Sequence, residues 1–115
     1  MQFIGFVDEK YLAGVYAGAR VMCYPSVWEG FGLPILEAMA QGTPVVTSSG
    51  TSTEEVANGA AVLVDPYSAE SIWDGIERAL RDHDELAALG RARALTATWA
   101  HTAALTAQAY DEVLL

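Results

Sequence analysis

Two glutamates separated by seven residues, Glu29 and Glu37, are the side chains of this 115-residue sequence best placed to do chemistry. The loop between them contains Gly30 and Gly32, which allow a ligand to approach the backbone closely, and Pro34, which suits the first position of a helix. Free amides at a helix start bind anions without any lysine, because they lie at the positive end of the helix dipole. A carboxylate accepts two charge-assisted hydrogen bonds from a vicinal diol. The pattern therefore predicts a phosphate joined to sugars, with a diol on each side, which is a nucleotide sugar.

Each of these features also has a structural explanation when it is taken alone. Glycines before a helix often only form a turn. Glu37 is expected in the first turn of a helix over residues 34–41, where an acidic side chain stabilises the helix by ~0.3–1 kcal/mol with no ligand bound. The hypothesis of a binding site therefore depends on the combination of the two carboxylates with the glycines and the proline between them.

The elements that must position this loop are predicted from apolar runs that alternate with amphipathic stretches. Such alternation predicts an α/β fold: a partial Rossmann-like parallel sheet of about four strands, with helices on both faces and extra carboxyl-terminal helices. Ligands of such sheets bind beyond the carboxyl ends of the strands, which are the loops after Tyr24 and Ser48. The predicted strands are residues 3–7, 20–24, 44–48 and 61–64, and the predicted helices are residues 8–19, 34–41, 51–58, 84–98 and 102–114, with one more from residue 68.

Several other side chains have structural roles predicted from their positions. Asp8 and Ser68 are predicted helix caps, and residues 51–55 contain two overlapping capping-box patterns. Cys23 is the single cysteine, so it excludes an internal disulfide, and it is predicted to be buried in its strand. The apolar helix residues predicted to pack inward are Ile72, Trp73, Ile76, Ala79, Leu80 and Trp99.

The charge balance excludes some classes of partner. Fifteen acidic residues against six basic ones give a net charge of −9, which repels nucleic acid and anionic lipid. No apolar run reaches the ~18 residues that a membrane span needs. Lys10 and Arg20 are the only basic residues before Arg78. A phosphate bound in the first part of the sequence therefore relies on backbone amides, unless another part of the protein supplies cations.

Residues 26–46, together with shorter motifs elsewhere, closely resemble the retaining glycosyltransferases of family 4, which have the GT-B architecture. The two glutamates have the spacing Glu-x7-Glu, with Gly-Phe-Gly-Leu-Pro between them and Glu-Ala-Met-Ala-x-Gly-x-Pro-Val-Val from the second one onward. The resemblance covers nearly the whole chain. The other matching motifs are Gly5-Phe6-Val7, residues 13–19, Tyr24-Pro25-Ser26, Glu54-Glu55-Val56-Ala57, residues 61–66 and Ala109-Tyr110.

This resemblance implies that residues 1–115 are part of the donor domain of a longer GT-B enzyme. Such an enzyme transfers a hexose of the mannose or glucose type from a nucleotide diphosphate sugar, GDP-mannose or UDP-glucose for example. Transfer would retain the anomeric configuration and would need neither a metal nor another cofactor. The resemblance also implies a cytoplasmic enzyme, in which any association with a membrane would occur through the amino-terminal domain.

The resemblance further implies a role for each residue of the loop. Glu29 would be the catalytic residue, close to the transferred sugar and in contact with its hydroxyls, and Glu37 would hold the ribose diol. Residues 48–51 would lie near the phosphates. The residues whose backbone amides would face the donor sugar and diphosphate are Gly30, Phe31, Gly32 and Leu33. Trp28, directly before Glu29, is expected either to line the donor pocket or to pack against the core.

The sequence departs from the family by lacking two strand–helix units of the donor domain and the amino-terminal acceptor domain. In the family those units carry the Arg and Lys that neutralise the diphosphate. In the family the strands of the sheet lie in the order 3-2-1-4-5-6. Without the first two strand–helix units, only strands 3, 4, 5 and 6 of that sheet would be present here. We therefore expect a fragment that is inactive alone. Its first strand, at residues 3–7, would pair directly with the second, pair across a dimer, or belong to a larger structure.

Two other classes of protein remain as alternatives. Another GT-B nucleotide-sugar enzyme, such as an epimerase, would share the nucleotide site but fits the Glu-x7-Glu spacing less well. A non-enzymatic receiver-like module suits the length and the acidity, but Tyr24-Pro25-Ser26 lacks the aspartate that it needs, and no late strand ends in lysine. Asp-His-Asp at residues 82–84 matches the metal motif of GT-A transferases, but it is expected at a junction of helices, so no metal site is predicted.

Overall fold

The computed structural model describes residues 1–114, and over these residues it is an α/β fold of three strands and six helices. The strands are β1 (Met22–Tyr24), β2 (Val45–Ser48) and β3 (Val62–Val64). The helices are α1 (Glu9–Gly18), α2 (Leu33–Ala40), α3 (Ser52–Ala57), α4 (Ala69–Arg81), α5 (His83–Thr96) and α6 (Trp99–Leu114). None of these helices combines the length and the apolar character needed to cross a membrane.

The three strands form one parallel sheet in the order β1-β2-β3, which confirms the predicted fold class. One face is covered by α2 and α3, whose core with the sheet includes Ile35, Met39, Val45 and Val56. The other face is covered by α4. That helix packs so closely that a Cβ added at Gly75 would lie 2.4 Å from Val64 Cγ1. Helices thus pack against both faces of the sheet, whose carboxyl end carries the loops after β1 and β2.

The caps predicted at Asp8 and Ser68 are confirmed. The Asp8 carboxylate accepts a hydrogen bond from the Lys10 amide at 3.1 Å, and Ser68 Oγ accepts one from the Ser71 amide at 3.1 Å. At the start of α3, Thr51 is the N-cap, and Glu54 Oε2 accepts a hydrogen bond from the Gly50 amide at 2.6 Å. Helix starts are determined by such local pairs because the first amides of a helix have no partner within it.

The predicted strand at residues 3–7 is not formed. Residues 1–8 have no regular secondary structure, and Phe3 and Phe6 are 87% and 95% exposed. An apolar run becomes a strand only where a neighbouring strand can share its hydrogen bonds, and no part of residues 1–114 pairs with this segment. The sheet therefore has three strands instead of about four, and the expected direct pairing with β1 does not occur.

The predictions of burial for Cys23, Trp73 and Trp99 are also wrong. Cys23 is in register with Val46 and so faces the side of the sheet covered by α4, but α4 packs on β2 and β3, and Cys23 is exposed. Trp73 and Trp99 are 62% and 81% exposed. Successive residues of a helix are rotated by about 100°, so the packing of Ile72 against the sheet turns Trp73 outward.

Candidate functional site

The candidate site is a cleft at the carboxyl end of the sheet, between the loops that follow β1 and β2. These loops are adjacent because β1 and β2 are parallel neighbours, and so both strands end at the same edge. The cleft has a volume of about 280 Å³. Its lining residues are Val27, Trp28, Glu29, Gly50, Thr51 and Ser52, with no lysine or arginine among them.

Glu29 is held in this cleft by three hydroxyl groups. The Tyr24 hydroxyl donates a hydrogen bond to Glu29 Oε1 at 2.5 Å, and Ser26 Oγ donates to the same oxygen at 3.2 Å. Ser52 Oγ, at the start of α3, donates to the Glu29 carbonyl at 2.7 Å. No hydrogen bond from residues 1–114 reaches Oε2. The carboxylate is therefore fixed through one oxygen, while the other is available to a hydroxyl group of a ligand.

Glu37 lies one residue further from the start of α2 than the sequence predicts. The helix begins at Leu33, directly after its N-cap Gly32, so Glu37 is its fifth residue and the first turn contains no acidic side chain. The side chain is exposed, and the Tyr16 hydroxyl on α1 donates a hydrogen bond to its Oε2 at 3.0 Å. Because Glu37 is beyond the first turn, a favourable interaction with the helix dipole does not explain why a glutamate occupies this position. Its exposed carboxylate can accept hydrogen bonds from a ligand.

Each carboxylate of the pair thus accepts a hydrogen bond from a tyrosine to which the sequence analysis assigns no role at the site. The pKa of Tyr16 is raised to about 12, mainly by burial and secondly by the hydrogen bond to Glu37. The hydrogen bond to Glu29 is the main cause of the raised pKa of Tyr24. Both phenols therefore remain protonated donors at neutral pH. One signal could have found Tyr16: it lies on the inner stripe of α1, and a half-buried tyrosine hydroxyl usually finds a partner.

The two glycines of the loop have different roles. Gly32 has φ +100°, and a Cβ there would lie 3.2 Å from Thr53 Cγ2, so the fold itself requires a glycine. At Gly30 a Cβ would meet no atom within 4 Å, and φ is outside the left-handed region. The fold therefore does not require Gly30, and the space over its backbone is open to a ligand.

The amides of residues 30–33 lie at the start of α2 and donate no hydrogen bond to any group within residues 1–114. Phe31 and Leu33 are half-exposed, at 51% and 48%. Unpaired amides at a helix start are suited to an anionic group, which is the kind of group that the sequence analysis predicts at this position.

The predicted phosphate-side segment, residues 48–51, is largely engaged within the fold. Ser49 Oγ donates a hydrogen bond to the Val64 carbonyl at 3.2 Å, and Thr51 caps α3. The Ser48 side chain is fully buried, and its Oγ has no partner within residues 1–114. In this segment only Gly50 and Thr51 line the cleft.

The structure also shows the surroundings of Trp28 and of residues 82–84. Trp28 is 90% exposed and lines the cleft, so it does not pack against the core. The Asp-His-Asp of residues 82–84 lies at the junction of α4 and α5, where the Asp82 carboxylate contacts Arg78 and Arg81 at 3.8 and 3.3 Å. Within residues 1–114, no group of three or more histidine, cysteine or acidic side chains is arranged to hold a metal ion.

Comparison with known proteins gives consistent results. The family model described as "Glycosyl transferases group 1" matches residues 1–95. O-antigen chain mannosyltransferase B of Escherichia coli is 42% identical over 113 residues, covering 96% of this chain and 30% of that protein. MMP alpha-(1->4)-mannosyltransferase of Mycolicibacterium hassiacum is 38% identical over 117 residues, covering 96% of this chain and 28% of that protein.

The fold is also found in a solved structure. Sucrose-phosphate synthase from Thermosynechococcus elongatus superposes with a TM-score of 0.82 at 34% sequence identity, covering 98% of this chain and 30% of that one. The chain thus spans about 30% of the length of each of these three proteins.

Proposed function

Because the chain belongs to the group 1 glycosyl transferases, we propose that residues 1–115 form part of the donor site of a longer GT-B enzyme that transfers a hexose from a nucleotide sugar to an acceptor. The names of the relatives support this, since two are mannosyltransferases and one is sucrose-phosphate synthase. A hexose of the mannose or glucose type, carried by GDP or UDP, fits these names. The amino-terminal acceptor domain and the first strands of the donor domain would complete the enzyme, which we place in the cytoplasm.

The observation that carries the proposal is the Glu29 carboxylate, which is fixed at the cleft with one oxygen unoccupied. Tyr24 and Ser26 bind Oε1, so Oε2 is oriented before any ligand arrives. A hydroxyl of the donor hexose would donate its hydrogen bond to Oε2. A carboxylate held in this way restricts the sugar to one orientation, which lowers the entropic cost of reaching a reactive geometry.

Glu37 would bind the ribose at the other end of the diphosphate. Its Oε1 accepts no hydrogen bond from residues 1–114, and Oε2 keeps a second lone pair beside the Tyr16 hydroxyl. The two oxygens can therefore accept both hydroxyls of a vicinal diol. The amides of residues 30–33 lie between the two glutamates in sequence, and in this proposal they bind the diphosphate.

Membership of family 4, retention of configuration and independence of metal ions belong to the same proposal. The Glu-x7-Glu motif with its Gly-Phe-Gly-Leu-Pro interior supports membership of family 4. The roles given to the glutamates involve hydroxyl groups, so neither carboxylate is assigned to a metal. Since no basic residue lines the cleft, the cations that neutralise the leaving diphosphate would come from the part of the donor domain that precedes this chain.

The test uses the full-length enzyme that contains these residues, with GDP-mannose, UDP-glucose and their epimers as candidate donors. Affinity for each donor is measured by calorimetry, and transfer is followed by nuclear magnetic resonance of the product, which also reports the anomeric configuration. We expect one nucleotide sugar to bind and to yield a product of retained configuration. Inversion would refute membership of a retaining family, and an epimerised sugar nucleotide with no transfer would identify the epimerase alternative.

A further inference from the structure

We propose that Tyr16 is a positioning residue for Glu37: its hydroxyl orients the carboxylate that receives the diol of the nucleotide donor. This inference rests on the proposed function, because it assigns a task to a residue that touches Glu37 and not the donor. The contact joins two helices, since Tyr16 lies on α1 and Glu37 on α2, 21 residues later. The distance from the hydroxyl to Glu37 Oε2 is 3.0 Å.

Tyr16 is itself fixed relative to α2. Thr43, which follows α2 and is 2% exposed, donates a hydrogen bond from Oγ1 to the Tyr16 carbonyl at 2.6 Å. The Tyr16 ring packs against the buried cluster that includes Ile35 and Met39 of α2. The backbone and the ring of Tyr16 are therefore both anchored to the helix that carries Glu37. A hydroxyl attached to such a ring can hold the carboxylate in one place.

An exposed glutamate without this bond would sample several rotamers, and binding of a diol would have to select one of them. The hydroxyl of Tyr16 restricts that choice in advance, which is the usual origin of affinity gained by preorganisation. The hydroxyl contacts only Oε2, so it leaves Oε1 free for the ligand. Because the pKa of Tyr16 is raised to about 12, the hydroxyl remains a donor at every pH at which such an enzyme would work.

The experiment is a double-mutant cycle on the full-length enzyme with Tyr16→Phe, Glu37→Gln and the combined variant. Tyr11→Phe is the matched control, because Tyr11 lies on the same helix, is 62% exposed and donates no hydrogen bond to Glu29 or Glu37. Removal of the Tyr16 hydroxyl is expected to weaken nucleotide-sugar binding roughly three- to tenfold, a loss of the size expected for one partly solvated hydrogen bond to a charged group. The turnover number at saturating donor should change less than twofold, and Tyr11→Phe should change neither quantity.

The cycle separates failure of this inference from failure of the proposed function. If Glu37→Gln itself leaves donor affinity unchanged, the assignment of Glu37 fails and the role of Tyr16 fails with it. If Glu37→Gln weakens binding but Tyr16→Phe does not, only the present inference is overturned. It is also overturned if Tyr16→Phe causes the same loss in the Glu37→Gln background as in the wild type, because the tyrosine then acts independently of Glu37. We expect no further loss in that background.

Discussion

Substitution of the two loop glycines by alanine should separate folding from binding. At Gly30 an added Cβ meets no atom within 4 Å and φ is outside the left-handed region, so Gly30→Ala is expected to leave stability unchanged or to raise it by about 0.4–1 kcal/mol. The new methyl group would stand where the backbone is open to the diphosphate. Loss of one hydrogen bond to a charged group costs about 1.5–3 kcal/mol, so affinity for the donor should fall by roughly tenfold to a hundredfold.

Gly32→Ala is the comparison variant and should behave in the opposite way. Its φ of +100° and the 3.2 Å approach to Thr53 Cγ2 make an alanine strained, at a cost to stability of about 1–3 kcal/mol. Thermal unfolding of the full-length protein by calorimetry gives stability, and donor titration gives affinity. If Gly30→Ala lowers the unfolding midpoint as much as Gly32→Ala does, or if it binds the donor as tightly as the wild type, the assignment of this backbone to the diphosphate is wrong.

Four further outcomes are expected. Glu37→Ala should weaken donor binding in calorimetric titrations, whereas Glu29→Ala should reduce turnover more than affinity, because its partner is the sugar being transferred; equal, small effects of both changes on affinity and rate would contradict these roles. Activity of the full-length enzyme should survive EDTA, and a loss that manganese reverses would show that a metal is needed. The pKa of Tyr16 in the folded protein is about 12, above its ordinary value of 10. The protonated hydroxyl of Tyr16 therefore contributes fully to the free energy of unfolding below pH 10, and this contribution is lost as the pH rises from 10 to 12. Melting temperatures across this range should fall less steeply for Tyr16→Phe than for the wild type. The 115 residues alone should show no transferase activity, because no basic side chain lines the cleft, and sugar transfer by the purified monomeric chain would refute this.

Much of the site could be predicted because its signals are local. The pair of glutamates, the glycines between them and the proline at the start of α2 are close together in sequence, and in the structure the loop lies at the carboxyl end of β1, as expected. The predicted position of Glu37 within α2 was wrong by part of a turn. The helix begins at Leu33 because Gly32 adopts a left-handed conformation as the cap, and a sequence does not reveal backbone dihedral angles.

The contacts that position the two glutamates could not be predicted in the same way. Tyr16 meets Glu37 across 21 residues of sequence, and Ser52 reaches the Glu29 carbonyl across 23. Neither pair has a spacing that marks it as a contact, since each depends on how two separate elements pack. Tyr24 is only five residues from Glu29, yet its hydroxyl reaches the carboxylate because the loop turns back after β1.

By itself the sequence determined the fold class, the caps and the position of the candidate loop, because helix caps, periodicity and glycine–proline punctuation act within a few residues. Only the tertiary structure decided which apolar segments are paired in the sheet or buried against another element. Residues 3–7 are as apolar as a buried strand but lie unpaired, and Cys23 faces a side of the sheet that α4 does not reach. Burial and strand pairing depend on the presence of a second surface, and hydrophobic character specifies only that such a surface is favourable.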